Sequence, residues 1–451
     1  MPLVRPLRAI AYSPERFAQP VVAERIRLPD EPAGGRPAPG RAVTDLSDLA
    51  CPPYDVISAE QQAELLARHP ANAIRLELPP DPEPHAAAAM TLAGWLGDGT
   101  LELRSAASVY YYAFASTGTP DEPSVQGVLA RVLLEPFGAD VRAHEHTMPG
   151  PKADRLAHLR AMRTQVSPIL ALYFDRSERY RHVMSRSWTD EWRARDGDGL
   201  LHTLGEVEPD DRLLSFLSKQ RLYIADGHHR YETALAYQAE VRADPALADG
   251  APGALAADWI MVVLVNAEME ELDIRPTHRL IRGASVDALE SLANEPGSMW
   301  QLEPMTPEAL PGRLDALREL DQPVFGLILP GGRGYLIMAD REAATARMAR
   351  ERVSTVVGRL DLSVLHAALL DDVLGIDATQ VAAGERLAYT RSEAEARRAV
   401  GSGEAQAALL VRPTRLEELA AVAMAGDVMP QKSTYFYPKL LTGMVFNPLQ
   451  D

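Results

Sequence analysis

The sequence predicts an α+β protein, because it contains both apolar strand segments, two of which follow one another directly, and helical patterns. Residues 221–237, RLYIADGHHRYETALAY, read as a short buried strand, an Asp-Gly turn and a helix that begins at His228. Residues 108–116 and 128–137 predict adjacent strands, and residues 258–267 predict the clearest buried strand of the chain.

Length and texture predict two parts. With 451 residues, the chain can bury a large core and hold more than one domain. From about Ser285 histidines become rare and Ala, Glu and Leu more frequent. We therefore predict a catalytic core over residues 1–284 and a C-terminal α/β subdomain over residues 285–451. The end of that subdomain, residues 429–446, is too rich in aromatic, lysine and hydroxyl side chains for a loose tail, and we expect it to return to the site; a docked terminal strand is the alternative.

Composition limits the class of protein. A formal net charge of −17 argues against a general nucleic-acid binder. No apolar run reaches the ~18 residues that a membrane span needs, and the N-terminus lacks a secretory signal. A single cysteine, Cys51, fits a reducing compartment. We expect a cytoplasmic protein that forms a homodimer, contacts neither nucleic acid nor membrane, and takes a small-molecule substrate.

The DGHHR turn is the first candidate site. A strand that turns into a helix presents backbone N–H groups and the positive end of the helix dipole, which favour an anion such as phosphate. Gly227 lets the backbone come close, and Arg230 in the first turn could grip the same anion bidentately. An ordinary strand-to-helix connection is the plainer interpretation of the same residues.

Asp55 is the second candidate. It lies in CPPYDVIS, where two prolines stiffen the backbone and Ser58 with Gln61 predicts a capping box that opens a helix over AEQQAELLARH. Asp55 would then be either a pre-positioned carboxylate or a simple turn residue.

Other segments give structural predictions. A charged helix is predicted over residues 176–194, and another begins near Asp154. PVFGLILPGGRGYLIMAD predicts a hairpin whose turn is GGRG; a phosphate cradle is the alternative for those glycines.

The polar clusters suggest phosphoryl chemistry, which needs cations, backbone donors and a carboxylate that orients the attacking hydroxyl. Neither a Walker-type loop nor a GxGxxG after a strand is present. The candidate cations are Lys152, Arg155, Arg230, Arg279, Lys432 and Lys439; the carboxylates are Asp55, Glu145, Asp154 and Asp226; the histidines are His144, His146, His228, His229 and His278.

A rival interpretation makes histidines metal ligands. His144-x-His146 and His228-His229 could form a hydrolase's metal site with Asp226 or Glu145. HExxH is not present, and our prediction assigns no metal ligand.

Five motifs carry a family resemblance. CPPYDVIS, HEHTMPGPKADR, YIADGHHRYETA, RPTHR and QKSTYFYPKLLTG, in this order, resemble a large prokaryotic family catalogued as a domain of unknown function. DGHHR is also similar to the phosphate-binding loop of the ParB/sulfiredoxin superfamily, which contains free-serine kinases, a peroxiredoxin-repair enzyme and nucleotide-binding partition proteins. The resemblance implies a ParB/sulfiredoxin-like core with large insertions.

The resemblance also implies roles. The superfamily loop implies that Gly227, His228, His229 and Arg230 bind nucleotide or substrate phosphate. The serine kinases use an acidic residue near the start of the domain as base, and Asp55 is its closest counterpart here. Because the HEHT segment has no counterpart in them, Glu145 is the alternative base. The family has also been proposed to interconvert serine and O-phosphoserine.

We therefore predict a phosphotransfer enzyme, a kinase or its reverse, that acts on the hydroxyl of free serine or O-phosphoserine with Mg²⁺ and ATP or ADP. A metal-dependent phosphoester hydrolase and a non-catalytic nucleotide-binding regulator are the alternatives. The predicted catalytic residues are Asp55, Glu145, His228 and His229. The predicted binding residues are His144, His146, Lys152, Arg155, Asp226, Gly227, Arg230, His278, Arg279, Lys432, Ser433 and Lys439.

Overall fold

A computed structural model describes residues 3–19, 43–115, 124–138, 140–145, 149–177, 188, 190–244, 250–292 and 298–450. The chain divides into two compact units. Unit 1 comprises Met1–Ala143, Met148–Asp273 and Phe436–Asp451, and unit 2 comprises His144–Thr147 and Ile274–Tyr435. The boundary lies after Asp273 rather than after residue 284, because the strand that carries His278 pairs within the sheet of unit 2.

Unit 1 is built on a mixed sheet. The strands of unit 1 are β1 (Val4–Arg5), β2 (Ile10–Tyr12), β3 (Ala18–Gln19), β4 (Val43–Asp45), β5 (Leu101–Leu103), β6 (Val109–Phe114), β7 (Val125–Leu133), β8 (Val141–Arg142), β9 (Thr164–Gln165), β10 (Ile169–Tyr173), β11 (Glu191–Arg195), β12 (Leu201–Val207), β13 (Leu222–Asp226) and β14 (Trp259–Asn266). In the mixed sheet the order is β3, β4, β11, β12, β6, β7, β14, β10, β13 and β8, and β1 pairs with β7. β2 and β5 form a separate two-stranded sheet.

The buried strand predicted over residues 258–267 is confirmed as β14, every residue of which is buried. It runs antiparallel to β7 and parallel to β10, so both its edges are hydrogen-bonded. A continuous apolar strand is what such a central position requires. Gly127 in β7 allows the close approach, since a Cβ there would lie 2.7 Å from the Leu264 carbonyl oxygen.

Two helices of unit 1, over residues 211–217 and 228–242, pack against this sheet. Tyr231 and Ala234 belong to the same hydrophobic cluster as the strand residues Ile169 and Ile224. The helices are α1 (Pro14–Phe17), α2 (Ala59–Arg68), α3 (Ile74–Glu77), α4 (Pro84–Gly97), α5 (Pro149–Met162), α6 (Asp211–Leu217) and α7 (His228–Arg242). Helix α5 begins at Pro149, which is earlier than the predicted start near Asp154.

Unit 2 contains a second sheet. After β15 (Asp273–Arg275), its strands are β16 (His278–Ile281), β17 (Trp300–Pro304), β18 (Val324–Leu329), β19 (Arg333–Ala339), β20 (Leu387–Thr390) and β21 (Ala407–Val411). Their order in the sheet is β17, β19, β18, β21, β16 and β20. Its helices are α8 (Val286–Glu290), α9 (Leu310–Ala316), α10 (Arg341–Met348), α11 (Thr355–Gly358), α12 (Asp361–Val364), α13 (Ala378–Ala383), α14 (Glu393–Gly401) and α15 (Leu416–Ala425), with a π-helix at Leu365–Asp371.

The predicted hairpin in unit 2 is confirmed. β18 and β19 pair antiparallel, and the φ values of Gly331 and Gly332 are +76° and +72°, in the left-handed region. The two glycines therefore serve the turn. The chain then ends with β22 (Tyr435–Tyr437) and β23 (Asn447–Pro448), and β23 pairs with β9 inside unit 1.

The helix predicted over residues 176–194 is wrong at its C-terminal end. Residues 191–195 form β11, which pairs antiparallel with β12 and parallel with β4. Trp192 and Ala194 are buried while Arg193 is not, which is the alternation of a strand, and hydrogen bonding to two neighbours overrides the local helical pattern. Residues 178–187 and 189 of that prediction lie outside the described residues.

No helix in the described part of the chain is long and apolar enough to cross a bilayer.

Candidate functional site

The DGHHR turn has the predicted strand–turn–helix geometry. β13 ends at Asp226, Gly227 follows with φ +94°, and α7 begins at His228. A Cβ at Gly227 would lie 2.5 Å from Cγ2 of Ile169, so both the backbone angle and the close packing require glycine. Gly227 is the N-cap of α7, and it offers no side chain to cap the first turn. The positive end of a 15-residue helix thus begins at a partly exposed turn.

Asp226 lies between two cations. Its Oδ2 accepts a hydrogen bond from Nη2 of Arg230 at 2.6 Å, and its Oδ1 accepts one from Nζ of Lys439. Burial opposes the charge of the carboxylate, but the positive charges of Lys439 and Arg230 outweigh it and hold the pKa of Asp226 well below its usual range. Asp226 is therefore an ionised, fully engaged carboxylate, and it ties α7 to residues 436–451.

Arg230 turns inward. Nη1 donates to the Pro168 carbonyl at 2.6 Å and to Oγ of Ser167 at 3.2 Å. Burial opposes its charge, but the carboxylates of Asp226 and Asp55 outweigh this and raise its pKa. The guanidinium contacts protein groups rather than facing solvent, so it fixes Asp226 and supplies positive charge behind the turn.

Asp55 lies on the 3₁₀ turn Tyr54–Val56, between Pro53 and the helix α2. The predicted capping box is confirmed: Oγ of Ser58 accepts from the Gln61 N–H, and the Gln61 side chain accepts from the Ser58 N–H. The Asp55 side chain is exposed, and its charge acts on Arg230. The structure thus brings an exposed carboxylate on a well-held turn into the electrostatic range of the DGHHR motif.

Glu77 holds that turn from behind, and the sequence analysis missed it. Its Oε1 accepts from the Tyr54 N–H at 3.0 Å, and its Oε2 accepts from Oγ1 of Thr442 at 3.3 Å. Burial, more than the opposing charge of Arg155, raises its pKa. The available signal in the sequence was one acidic residue near the end of the largely apolar stretch NAIRLEL. In the structure this residue is 1% exposed, which is rare for a glutamate without a partner.

Arg155 packs over the ring of Tyr54. Its guanidinium lies 4.5 Å from the centroid of the Tyr54 ring, and its Nη1 donates to the Glu77 carbonyl at 3.1 Å. Its remaining donors engage Asp154 through Nε and Nη2, at 2.9 and 2.6 Å. Arg155 therefore serves the Asp55 turn through packing as well as charge.

A cavity of about 60 Å³ lies beside these residues, lined in part by Tyr54, Glu77, Arg155 and Arg230. His158 also lines it, and its side chain is buried. Burial, followed by the charge of Arg155, lowers the pKa of His158 to about 3, so the ring is neutral. The volume is that of about two water molecules.

The predicted cation Lys152 pairs with Glu232, which joins α5 to α7 one turn past the DGHHR motif. His228 and His229 occupy the first turn of α7 and are partly exposed. Lys152, through Glu232, and the two histidines are therefore all located at the N-terminal end of α7, which follows Asp226.

A second group of predicted residues lies in unit 2. Nε2 of His144 and Oγ1 of Thr434 are 2.7 Å apart, and the backbone N–H of Lys432 donates to Oε1 of Glu145 at 2.6 Å. Lys432 has φ +58°, so the Glu145 carboxylate supports a strained turn. The side chain of Ser433 donates to the Pro430 carbonyl within the same turn.

Arg279 and His278 are buried in unit 2. Nη2 of Arg279 donates to the Lys432 carbonyl at 3.1 Å, and its Nη1 donates to the Thr277 carbonyl. Burial, only partly offset by Tyr389 and Glu145, lowers the pKa of Arg279 to about 10. Nδ1 of His278 accepts from the Val411 N–H at 3.3 Å. Both side chains hold the QKST turn and the sheet.

The predicted residues therefore form two groups. Unit 1 contains Asp55, Lys152, Arg155, Asp226, Gly227, His228, His229, Arg230 and Lys439; unit 2 contains His144, Glu145, His278, Arg279, Lys432 and Ser433. His146 lies outside the described residues. Within the described ranges, no group of three or more histidine, cysteine or acidic side chains is arranged to hold a metal ion.

Fold and site define a protein of mixed helices and sheets with a cation-rich helix N-terminus. The chain belongs to the family described as protein of unknown function (DUF1015), whose sequence model matches residues 33–363. The resemblance to a family of unknown function is thereby confirmed. No curated protein matches the sequence.

Solved structures show distant similarity. A conserved hypothetical protein from Pyrococcus furiosus aligns over 67% of this chain and 89% of its own, at 14% identity and TM-score 0.33. A free serine kinase in complex with AMP aligns over 66% of this chain and 83% of its own, at 13% identity and TM-score 0.33. SbnI from Staphylococcus aureus, truncated at its C-terminus, aligns over 70% of this chain and 85% of its own, at 13% identity and TM-score 0.35.

Proposed function

We propose that the protein transfers a phosphoryl group between a nucleotide, ATP or ADP, and the hydroxyl of a small metabolite, with free serine or O-phosphoserine as the substrate. The observation that carries the proposal is the N-terminal end of α7, which Gly227 leaves without a side-chain cap. Lys439 and Arg230 pair with Asp226 at this end, and the charge of the exposed Asp55 acts on Arg230. The similarity of DGHHR to the phosphate-binding loop of the ParB/sulfiredoxin superfamily supports it, and with it a ParB/sulfiredoxin-like core.

The roles follow from the contacts. The N-terminal turn of α7, with His228 and His229, donates hydrogen bonds to phosphate oxygens. Lys439 is held near the turn by Asp226 and neutralises part of the charge of the phosphate. Arg230 holds Asp226 and acts through its charge, since Asp226, Ser167 and Pro168 already occupy its terminal nitrogens.

Asp55 is the base in this proposal. In the forward direction it accepts the proton of the serine hydroxyl while the serine oxygen bonds to the γ-phosphorus and ADP leaves. The Glu77 contact to the Tyr54 N–H and the prolines before it keep the carboxylate in place. Glu145, whose carboxylate supports the turn at Lys432, remains the alternative base.

Mg²⁺ is commonly held by one or two carboxylates together with substrate phosphates, whose charge it neutralises. Both oxygens of Asp226 already accept hydrogen bonds from cations, so Asp226 does not fit a metal ligand. In this proposal the exposed carboxylate of Asp55 serves as the base, so Mg²⁺ would be held mainly by the phosphates of the nucleotide.

The test is turnover with matched variants. Asp55→Asn keeps the shape and removes the basicity, so we expect formation of O-phosphoserine from ATP and serine, followed by ³¹P NMR, to fall by ~10²–10⁴-fold while nucleotide affinity stays within a few-fold. Glu145→Gln should leave turnover nearly normal.

Each other outcome has a definite meaning. If Glu145→Gln alone abolishes turnover, the base is misassigned. If wild type binds nucleotide without turning over serine or O-phosphoserine, the proposed phosphotransfer is wrong. The same conclusion holds if both variants keep near-normal turnover. Nucleotide binding without turnover would favour the non-catalytic nucleotide-binding regulator.

A further inference from the structure

Unit 2 contains a cavity of about 270 Å³ that the proposed phosphotransfer does not use. Its walls come from the loop that follows α9, from α10 and α11, from the end of β21 and from the start of α15. Small-molecule pockets span roughly 300–1,000 Å³, so this cavity suits a small metabolite.

The cavity is rich in guanidinium groups. Five arginines and four carboxylates are among its described lining residues, which leaves a local positive excess in a chain whose net charge is −17. Guanidinium groups bind phosphate and carboxylate oxygens through paired N–H donors. The chemistry of the wall therefore favours an anion.

One arginine, Arg412, is part of the scaffold. Its Nε and Nη2 donate to Oδ2 of Asp361 at 2.9 and 2.6 Å, and its remaining donors go to backbone carbonyls of neighbouring loops. The Arg412 side chain is 8% exposed. Because its donors are engaged inside the protein, Arg412 shapes the cavity rather than contacting a ligand.

Two other arginines converge on one exposed carboxylate. Nη2 of Arg359 donates to Oδ2 of Asp321 at 2.9 Å, and Nη2 of Arg341 lies 3.6 Å from Oδ1 of the same residue. Arg341 is held in place by its bonds to the Asp321 and Arg359 carbonyls, at 2.5 and 2.9 Å. The Asp321 side chain is 66% exposed, and exposed ion pairs are worth little, so an incoming anion can replace it at small cost.

An anion with more negative charge than the Asp321 carboxylate would stabilise the charged form of Arg341 further. Burial lowers its pKa, and the carboxylates of Asp321 and Asp361 offset that effect only in part. A dianion at the position of the Asp321 carboxylate would place more negative charge against two guanidinium groups, one of them partly buried.

We propose that this cavity binds the phosphate group of a small phosphorylated metabolite between Arg341 and Arg359, and that Asp321 occupies the phosphate position until the ligand displaces it. The lining residues of the cavity belong to unit 2, whereas the DGHHR motif belongs to unit 1. It would give the protein a second ligand, whatever reaction unit 1 performs.

A reporter confined to the cavity tests this. Ala421 lines the cavity and is exposed, whereas the natural cysteine, Cys51, is buried. The full-length Ala421→Cys protein can therefore be labelled at that thiol with an environment-sensitive fluorophore. Titration with inorganic pyrophosphate should give a saturable signal. Arg359→Gln should weaken the affinity about tenfold, because one charged contact to phosphate is lost.

Asp321→Asn gives the opposite sign. It removes the competing carboxylate and should tighten pyrophosphate binding severalfold. Arg398→Gln is the matched control, since Arg398 is an exposed arginine of unit 2 that does not line the cavity, and it should leave the affinity unchanged. An absent signal at millimolar pyrophosphate, an unchanged affinity in Arg359→Gln, or weaker binding in Asp321→Asn would overturn the proposal.

Discussion

At the scale of single residues, the site is defined by how charges are paired. Asp226 is ionised because two cations bind its two oxygens, and Glu77 has a raised pKa because the effect of burial exceeds that of the Arg155 charge and of the Tyr54 hydrogen bond. Two carboxylates in one unit are thus pushed in opposite directions by their surroundings, which is the pattern that acid–base sites commonly show. This pattern makes Asp226 a fixed anion and leaves the exposed Asp55 as the carboxylate that can meet a substrate.

The lowered pKa of Asp226 predicts an acid-sensitive contribution to stability. A carboxylate whose pKa is lower in the folded state stabilises the fold above its unfolded pKa of about 3.9, and this stabilisation is lost as pH falls further. Here Lys439, Arg230 and His228 face the carboxylate. We expect Asp226→Asn to cost most at pH 7 and progressively less below pH 4, in denaturant unfolding measured from pH 7 to pH 3. A cost that stays constant over this range would show that charge pairing does not stabilise Asp226.

At the scale of elements, short-range signals position Asp55. The capping box of α2 fixes where the helix begins, and the 3₁₀ turn before it carries the carboxylate. Glu77 at the end of α3 supports the same turn from inside. The position of the candidate base therefore depends on the start of one helix and the end of another.

Removing the cap should weaken this arrangement. Ser58→Ala deletes the acceptor for the Gln61 N–H, and we expect a loss of about 1 kcal/mol in the free energy of unfolding. Ser58→Asp keeps a capping oxygen and should stay close to wild type. Both are read by chemical denaturation, and an equal loss in the two variants would contradict capping as the cause.

At the scale of the whole molecule, the C-terminal segment completes unit 1. Met444, Val445 and Phe446 are almost fully buried. The backbones of Cys51 and Thr442 form an isolated antiparallel β-bridge, and β23 pairs with β9. Lys439 from the same segment reaches Asp226. A unit assembled from distant parts of the chain depends on each of them.

Deleting residues 436–451 should therefore destabilise unit 1 selectively. We expect hydrogen exchange to accelerate at Cys51 and around β9, whose partners would be removed, while the β18–β19 hairpin of unit 2 keeps its protection. Deleting only Asp451 is the control. Unchanged protection at Cys51 would show that the segment does not contribute to the stability of unit 1.

The local features could be predicted from the sequence: the strand–turn–helix at DGHHR, the capping box at Ser58, the buried strand β14 and the β18–β19 hairpin. Each depends on residues within a few positions of one another, where periodicity and turn chemistry act directly. The other features depend on contacts between distant parts of the chain. The Lys439–Asp226 contact joins residues 213 positions apart, Glu77 gained its role only from Tyr54 and Thr442, and β11 formed because two strands flank it. No local spacing encodes such partners, because pairing and burial are set by elements that meet only in the folded chain.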